Sequence, residues 1–233
     1  MIRNLLLDLD DTILDFGKSE KECFEAMLRT VGLTPTDEIA SLYSRINLNQ
    51  WKMLERGETT REKLRLDRFR LLFRELGENV EPQRAADLYC GLLAKSCHPI
   101  PGAMETLRSL KGRYGLYLAS NGFREIQRGR IAASGLDELM DDVFISQDVG
   151  VDKPAPEYFD ACFARIPDFR REETAIVGDS LTSDILGGNR AGITAIWLNP
   201  TGKERDKGGV PDHIIRDIRE LPALLEKIAK EDK

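Results

Sequence analysis

Leu5-Leu6-Leu7-Asp8-Leu9-Asp10-Asp11-Thr12 is a short apolar run that ends abruptly in carboxylates. Three leucines without polar alternation predict a strand buried on both faces, as in a parallel sheet covered by helices. The same texture returns at Tyr114–Ala119, Val143–Ser146, Ala175–Val177 and Thr194–Leu198. Between these runs, helical patterns occupy residues near 103–111, 123–134, 155–165 and 181–191. Strand–helix alternation of this kind predicts an α/β fold, a doubly wound, Rossmann-like parallel sheet with helices on both faces.

The alternation is interrupted once. From residue 17 to 96 no strand-like run occurs, and apolar residues recur at helical spacing, as in Phe69, Leu72, Phe73 and Leu76. Gly32 and Pro35, Gly57, and Gly77 and Pro82 divide this stretch into about four helices. The expected organisation is an α/β core from residues 1–15 and 97–233, with a helical insert over 16–96. The insert carries 14 basic and 13 acidic residues, so it has no charge bias of its own. Thr201–Gly209 reads as a surface loop and Glu226–Lys233 as a fraying helix end.

Composition excludes several functions. The chain has 233 residues and a net charge of −6, a sign that argues against a nucleic-acid polymer or an anionic membrane as partner. No apolar run approaches the roughly 18 residues of a membrane span, and the acidic turn at Asp8 comes too early for a secretory signal. Cys23, Cys90, Cys97 and Cys162 form no CxxC pair and read as free thiols in a reducing cytoplasm. With only His98 and His213, a histidine nucleophile or a His-rich zinc site is excluded.

The remaining chemistry lies beyond the carboxyl ends of the strands, where open α/β sheets bind ligands. Asp8-Leu9-Asp10-Asp11-Thr12 follows the first run, Ser120-Asn121-Gly122 the second, Lys153-Pro154 the third, and Gly178-Asp179-Ser180 with Asp184 the fourth. Like charges gathered this way are costly unless a cation joins them. Asp8, Asp10, Asp179 and Asp184 without His or Cys suit Mg²⁺, and a nearby lysine, hydroxyl and strand-end amides complete a phosphate site. Asp8 is placed to attack phosphorus, and Asp10, two residues on, to protonate the leaving oxygen and then activate water.

These four motifs, in this order, resemble those of the haloacid dehalogenase-like hydrolase superfamily, and the helical insert resembles its type 1 cap. The resemblance spans residues 1–200. It implies Asp8 as nucleophile and Asp10 as acid/base. Mg²⁺ would be held by Asp8, the Asp10 main-chain carbonyl and Asp179, with Asp184 in support. Ser120, the Asn121 amide and Lys153 would hold phosphoryl oxygens, and Thr12 would tie the loop by hydrogen bonding. Dehalogenases of the superfamily lack an acid at the position of Asp10, so a C–O or phosphoester leaving group is implied.

Asn47-Leu48-Asn49-Gln50-Trp51, Gly57, Arg68-Phe69, the Cys97–Ala103 stretch, Ser120-Asn121-Gly122-Phe123 and Gly150-Val151-Asp152-Lys153-Pro154 resemble bacterial house-cleaning pyrimidine 5′-nucleotidases. Ser120 stands where that branch has threonine, which keeps the hydroxyl. The implied enzyme is a phosphomonoesterase for pyrimidine nucleoside monophosphates, a monomer or homodimer. A phosphoglycolate-type phosphatase, a phosphosugar mutase and a non-catalytic binding protein are the alternatives. Asn47, Asn49 and Trp51 are candidate base contacts, supplying amides and a ring within five residues. Against that stands packing of Trp51 between helices, with the asparagines as caps.

Other readings are weaker. Arg61, Arg65 and Arg68 share a helical face and read as solvated. Asp11 and Asp15 read as helix caps. Cys23-x₅-Arg29 lacks the loop glycines of a cysteine phosphatase, and Gly178-Asp179-Ser180-Leu181 lacks the Asp-x-x-His of a GDSL esterase, since Val210 stands three residues before His213. Gly187-Gly188 lies within a helical segment and forms no dinucleotide fingerprint. Substrate entry is expected to need hinges near residues 15–18 and 95–101.

Overall fold

A computed structural model describes residues 1–205 and 207–231, and for Glu55 the backbone alone. The loop and helix end expected over Thr201–Gly209 and Glu226–Lys233 therefore lie in part outside the described residues, at Asp206 and at Asp232–Lys233. The chain divides into two compact units, one built from Met1–Phe16 and the chain from Cys97 onward, the other from Gly17–Ser96.

The first unit is built on a parallel sheet. Strands β1 (Asn4–Leu7), β2 (Gly115–Ser120), β3 (Asp142–Ile145), β4 (Thr174–Gly178), β5 (Thr194–Leu198) and β6 (His213–Ile215) lie in the order β3-β2-β1-β4-β5-β6. Every neighbouring pair is parallel. Alternation along the strands feeds two cores. Leu5, Leu7, Leu116, Leu118 and Val177 pack with Leu107, Leu110, Leu221 and Leu225 on one face. Leu6, Tyr117, Ala119 and Ile176 pack with Tyr158, Phe159 and Cys162 on the other. The helices supplying these layers are α5 (Ala103–Leu110) and α10 (Leu221–Glu231) on the first face and α8 (Pro156–Phe163) on the second. This is the doubly wound arrangement, and it explains why the leucine run shows no alternation of polarity.

Strand β6 carries no signal in the sequence reading. Its three residues include the exposed Ile214, so it resembles a loop until β5 provides a pairing edge. The order reverses between β1 and β4, which places the topological switch at the ends of these two strands. The segments at the borders of the helical insert are tied to each other. Ile100 N donates to Ile13 O at 2.8 Å and Asp15 N to His98 O at 2.8 Å.

The second unit comprises α1 (Phe16–Thr30), α2 (Asp37–Glu55), α3 (Arg61–Leu76) and α4 (Pro82–Leu93). Thr36 and Thr60 cap α2 and α3, each accepting an amide hydrogen of the first turn. Phe24, Tyr43, Phe69 and Tyr89 form its aromatic core, with Phe24 stacked on Tyr43 at 4.1 Å. Among the described residues no helix is long and apolar enough to cross a membrane, and the four cysteines are free thiols.

Candidate active site

Asp8 leaves β1 as a continuation of the sheet, its N–H donating to Val177 O of β4 at 2.9 Å. Its side chain is 11% exposed and meets Lys153 Nζ at 2.6 Å. The same ammonium donates to Asp184 Oδ1 at 2.6 Å and to Ala119 O of β2. Lys153 is 1% exposed, so the cation is spent inside the rim. Burial disfavours its charge, but Asp184 and Asp8 outweigh burial and hold the ammonium above its ordinary range. The lysine backbone is bracketed by the Asn121 side chain, which accepts from Lys153 N at 2.9 Å and donates to Lys153 O at 2.8 Å.

Asp184 is also buried and accepts from Ser180 N at 3.2 Å. It sits in a short π-helical turn, Leu181–Ile185, that runs into α9 (Leu186–Ala191). Gly178 makes this possible, because a Cβ there would lie 2.6 Å from Asp184 Cβ. Trp197 of β5 donates from Nε1 to Asp179 O at 2.8 Å and anchors the neighbouring turn. Oxygens of Asp8, Asp179 and Asp184 lie within 4.8 Å of one another. Burial first, then the neighbouring carboxylates, pushes Asp179 up to about 7 and Asp8 well above the usual carboxylate range, with Lys153 pulling the other way. Asp8 and Asp179, whose anionic forms are disfavoured, make with Asp184 an all-oxygen donor set that a hard divalent cation satisfies.

Asp10 stands apart from this cluster. Its carboxylate turns to α6 (Arg124–Ser134), where Arg130 pairs with Oδ1 and Gln127 Nε2 donates to Oδ2 at 2.6 Å. Of the four carboxylates expected around one metal, those of Asp8, Asp179 and Asp184 gather and that of Asp10 does not, because Arg130 and Gln127 engage it. Ser120 is buried, and its hydroxyl accepts from Gly122 N at 3.2 Å and from Gln127 Nε2 at 2.8 Å.

Several expectations need correction. Thr12 makes no tying hydrogen bond: its buried Oγ1 has no partner among the described residues. The loop is closed by the backbone, with Ile13 N and Leu14 N donating to Leu9 O, and by Asp11, whose carboxylate accepts from Phe16 N at 2.9 Å and caps α1. Asn47 is buried inside the helical unit, donating to Glu20 at 2.9 Å and accepting from Arg68 at 3.2 Å, so both ends of its amide are used there. Arg68 is not solvated. It is 3% exposed, with its guanidinium 4.9 Å from the Tyr89 ring centroid and 5.1 Å from that of Phe69. Asn49 is exposed and Trp51 half-buried. Cys23 is buried and Arg29 pairs with Glu25, as ordinary helix residues do. Ser180 caps the π-helical turn.

Gln127 and Arg130 were missed by the sequence reading, although they stand at i and i+3, polar residues between the apolar Ile126 and Ile131. Trp197 gave no signal beyond that of a core aromatic.

A strand-end acidic cluster on a doubly wound sheet is the arrangement of a hydrolase whose family model, the haloacid dehalogenase-like hydrolase, matches residues 2–192. The chain belongs to that family. The putative HAD-hydrolase YfnB of Bacillus subtilis is 36% identical over 96% of this chain and 95% of its own length. Its structure, solved bound to magnesium, superposes with a TM-score of 0.91 over 96% of this chain and 98% of that one. Pyrimidine 5′-nucleotidase PynA of Streptococcus pneumoniae is 36% identical over 96% of this chain and 94% of its own length. Pyrimidine 5′-nucleotidase YjjG of Escherichia coli is 31% identical, covering 95% and 96%.

Proposed function

We propose that this hydrolase is a Mg²⁺-dependent phosphomonoesterase acting through an aspartyl-phosphate on Asp8, with pyrimidine nucleoside 5′-monophosphates as substrates. The observation that carries the reading is the buried Asp8 at the β1/β4 switch, sharing Lys153 with Asp184 at 2.6 Å on either side. The similarity to two pyrimidine 5′-nucleotidases supports the choice of substrate.

Mg²⁺, held by Asp8, the Asp10 main-chain carbonyl and Asp179 with Asp184 in support, would neutralise phosphoryl charge as the anionic ester meets an acidic rim. Asp8 Oδ attacks phosphorus and the ester bond breaks, leaving the phosphoryl group on the carboxylate. Asp10 gives its proton to the departing ribose oxygen, then takes one from the water that cleaves the acyl phosphate. Lys153 fixes the Asp8 rotamer and compensates charge on the phosphoryl oxygens. Ser120 and the Asn121 N–H orient those oxygens. The helical unit selects the base, with Asn49 and Trp51 as its candidate contacts.

Phosphate release from a panel of nucleoside and sugar monophosphates, with and without Mg²⁺, tests the reading. UMP and dTMP are expected to be cleaved best. Release from sugar phosphates alone would remove the nucleotidase assignment and leave the phosphatase. Undiminished release in EDTA would remove the metal.

A further inference from the structure

Both oxygens of the Asp10 carboxylate are engaged by side chains of a single helix, α6. Arg130 is 0% exposed and approaches Oδ1, while Gln127, also buried, donates to Oδ2 at 2.6 Å. The two helix residues are joined, Arg130 Nη1 donating to Gln127 Oε1 at 3.0 Å. The Gln127 amide also donates to Ser120 Oγ at 2.8 Å, so one side chain links Asp10 to the hydroxyl at the end of β2. Room for this link is made by Gly122, where a Cβ would fall 2.6 Å from Gln127 Cγ.

A packing role accounts poorly for this arrangement. Arg130 Nε and Nη2 are buried without a hydrogen-bond partner among the described residues, and the Phe16 ring lies 5.4 Å from the guanidinium. A buried guanidinium satisfied at one nitrogen is destabilising relative to an apolar side chain of similar volume. Its position is useful only in relation to what it holds. Two donors on opposite oxygens fix both side-chain torsions of Asp10, and the bond to Ser120 sets that carboxylate in register with a phosphoryl-binding hydroxyl. Proton transfer demands placement within hydrogen-bond reach of the leaving oxygen, so small errors of aim are costly.

We propose that Gln127 and Arg130 are positioning residues for proton transfer by Asp10, coupling its placement to that of Ser120 without touching the substrate. This rests on the reading of Asp10 as the acid that serves the leaving group.

The test compares kcat/KM for 4-nitrophenyl phosphate, whose anion departs without a proton, with that for the best alkyl phosphate of the panel. Because kcat/KM ends at the first irreversible step, it is blind to hydrolysis of the phosphoenzyme. Gln127→Leu keeps the size of the side chain and leaves the Arg130–Asp10 pair in place. It is expected to lose about 10²-fold on the alkyl ester, the low end of what a positioned acid supplies, and at least about tenfold less on the nitrophenyl ester. Arg130→Met should show the same asymmetry and Arg130→Lys should recover part of it. Thermal unfolding of each variant separates misfolding from misplacement, and Asp10→Asn is the reference. If Asp10→Asn itself loses equally on both esters, the acid assignment fails and the proposal with it. If Asp10→Asn discriminates while Gln127→Leu loses equally on both, or on neither, the acid stands and the positioning role is overturned.

Discussion

The helical unit and the sheet rim both bury charge, with opposite balance. Inside the helices, half-buried Glu20 and buried Arg68 contribute one charge of each sign, joined through the Asn47 amide, with the guanidinium packed against Tyr89 and Phe69. At the rim, Asp8 and Asp184 share the single ammonium of Lys153, with Asp179 beside them. A balanced cluster is finished when the chain folds, and its role is to specify packing. An anionic surplus is unfinished, and its burial costs free energy until a cation and a substrate arrive.

The largest expected effect breaks the rim. Asp8→Asn removes the proposed nucleophile and should lower turnover by about 10³-fold or more, with the circular dichroism spectrum unchanged. Normal turnover in that variant would assign the nucleophile elsewhere.

Chelation sharpens the contrast through pH. In the metal-free protein Asp179 titrates near 7 rather than in its ordinary range, so folding favours its protonated form. That contribution is complete below the ordinary carboxylate pKa and is lost as pH rises through about 7. The unfolding midpoint of the metal-free protein should therefore fall between about pH 4 and pH 7. Added Mg²⁺ should restore most of the loss, because it binds the ionised set. An unfolding midpoint that rises over this interval without metal would show that the rim does not bury an anionic surplus.

The helical cluster should respond in stability and not in chemistry. Arg68→Met removes the buried guanidinium that donates to Asn47 Oδ1, beside half-buried Glu20, and is expected to cost about 2 kcal/mol by denaturant unfolding. Adding Glu20→Gln should recover part of that loss. Turnover of 4-nitrophenyl phosphate by the folded fraction should stay near the wild-type value. A loss of kcat as large as the stability effect would place Arg68 in the catalytic machinery. The smallest effect is expected at exposed Asn49 and half-buried Trp51 of α2, where Asn49→Ala and Trp51→Ala should raise KM for UMP several-fold, the scale of one or two lost contacts, and leave kcat for 4-nitrophenyl phosphate alone. Equal changes for both substrates would remove these residues from base selection.

The order in which carboxylates, hydroxyl and lysine follow the apolar runs was enough to define the rim, because a parallel sheet brings every strand's carboxyl end to one side. Buried strands and amphipathic helices write their period directly into the chain, so β1, β2, β3, β4, β5 and the four insert helices were legible. What a polar residue does once buried depends on partners distant in sequence. Arg68 and Asn47 looked like surface or ligand positions until α2 and α3 met, and Thr12 looked like a tie until its hydroxyl was found without a partner. Gln127 and Arg130 acquire meaning only across the 117 and 120 residues that separate them from Asp10. Strand β6 exists because β5 offers it an edge. Local periodicity and strand-end chemistry are properties of short stretches, and the chain alone determined them. Side-chain pairing over long separations is settled by packing, which only the tertiary structure decided.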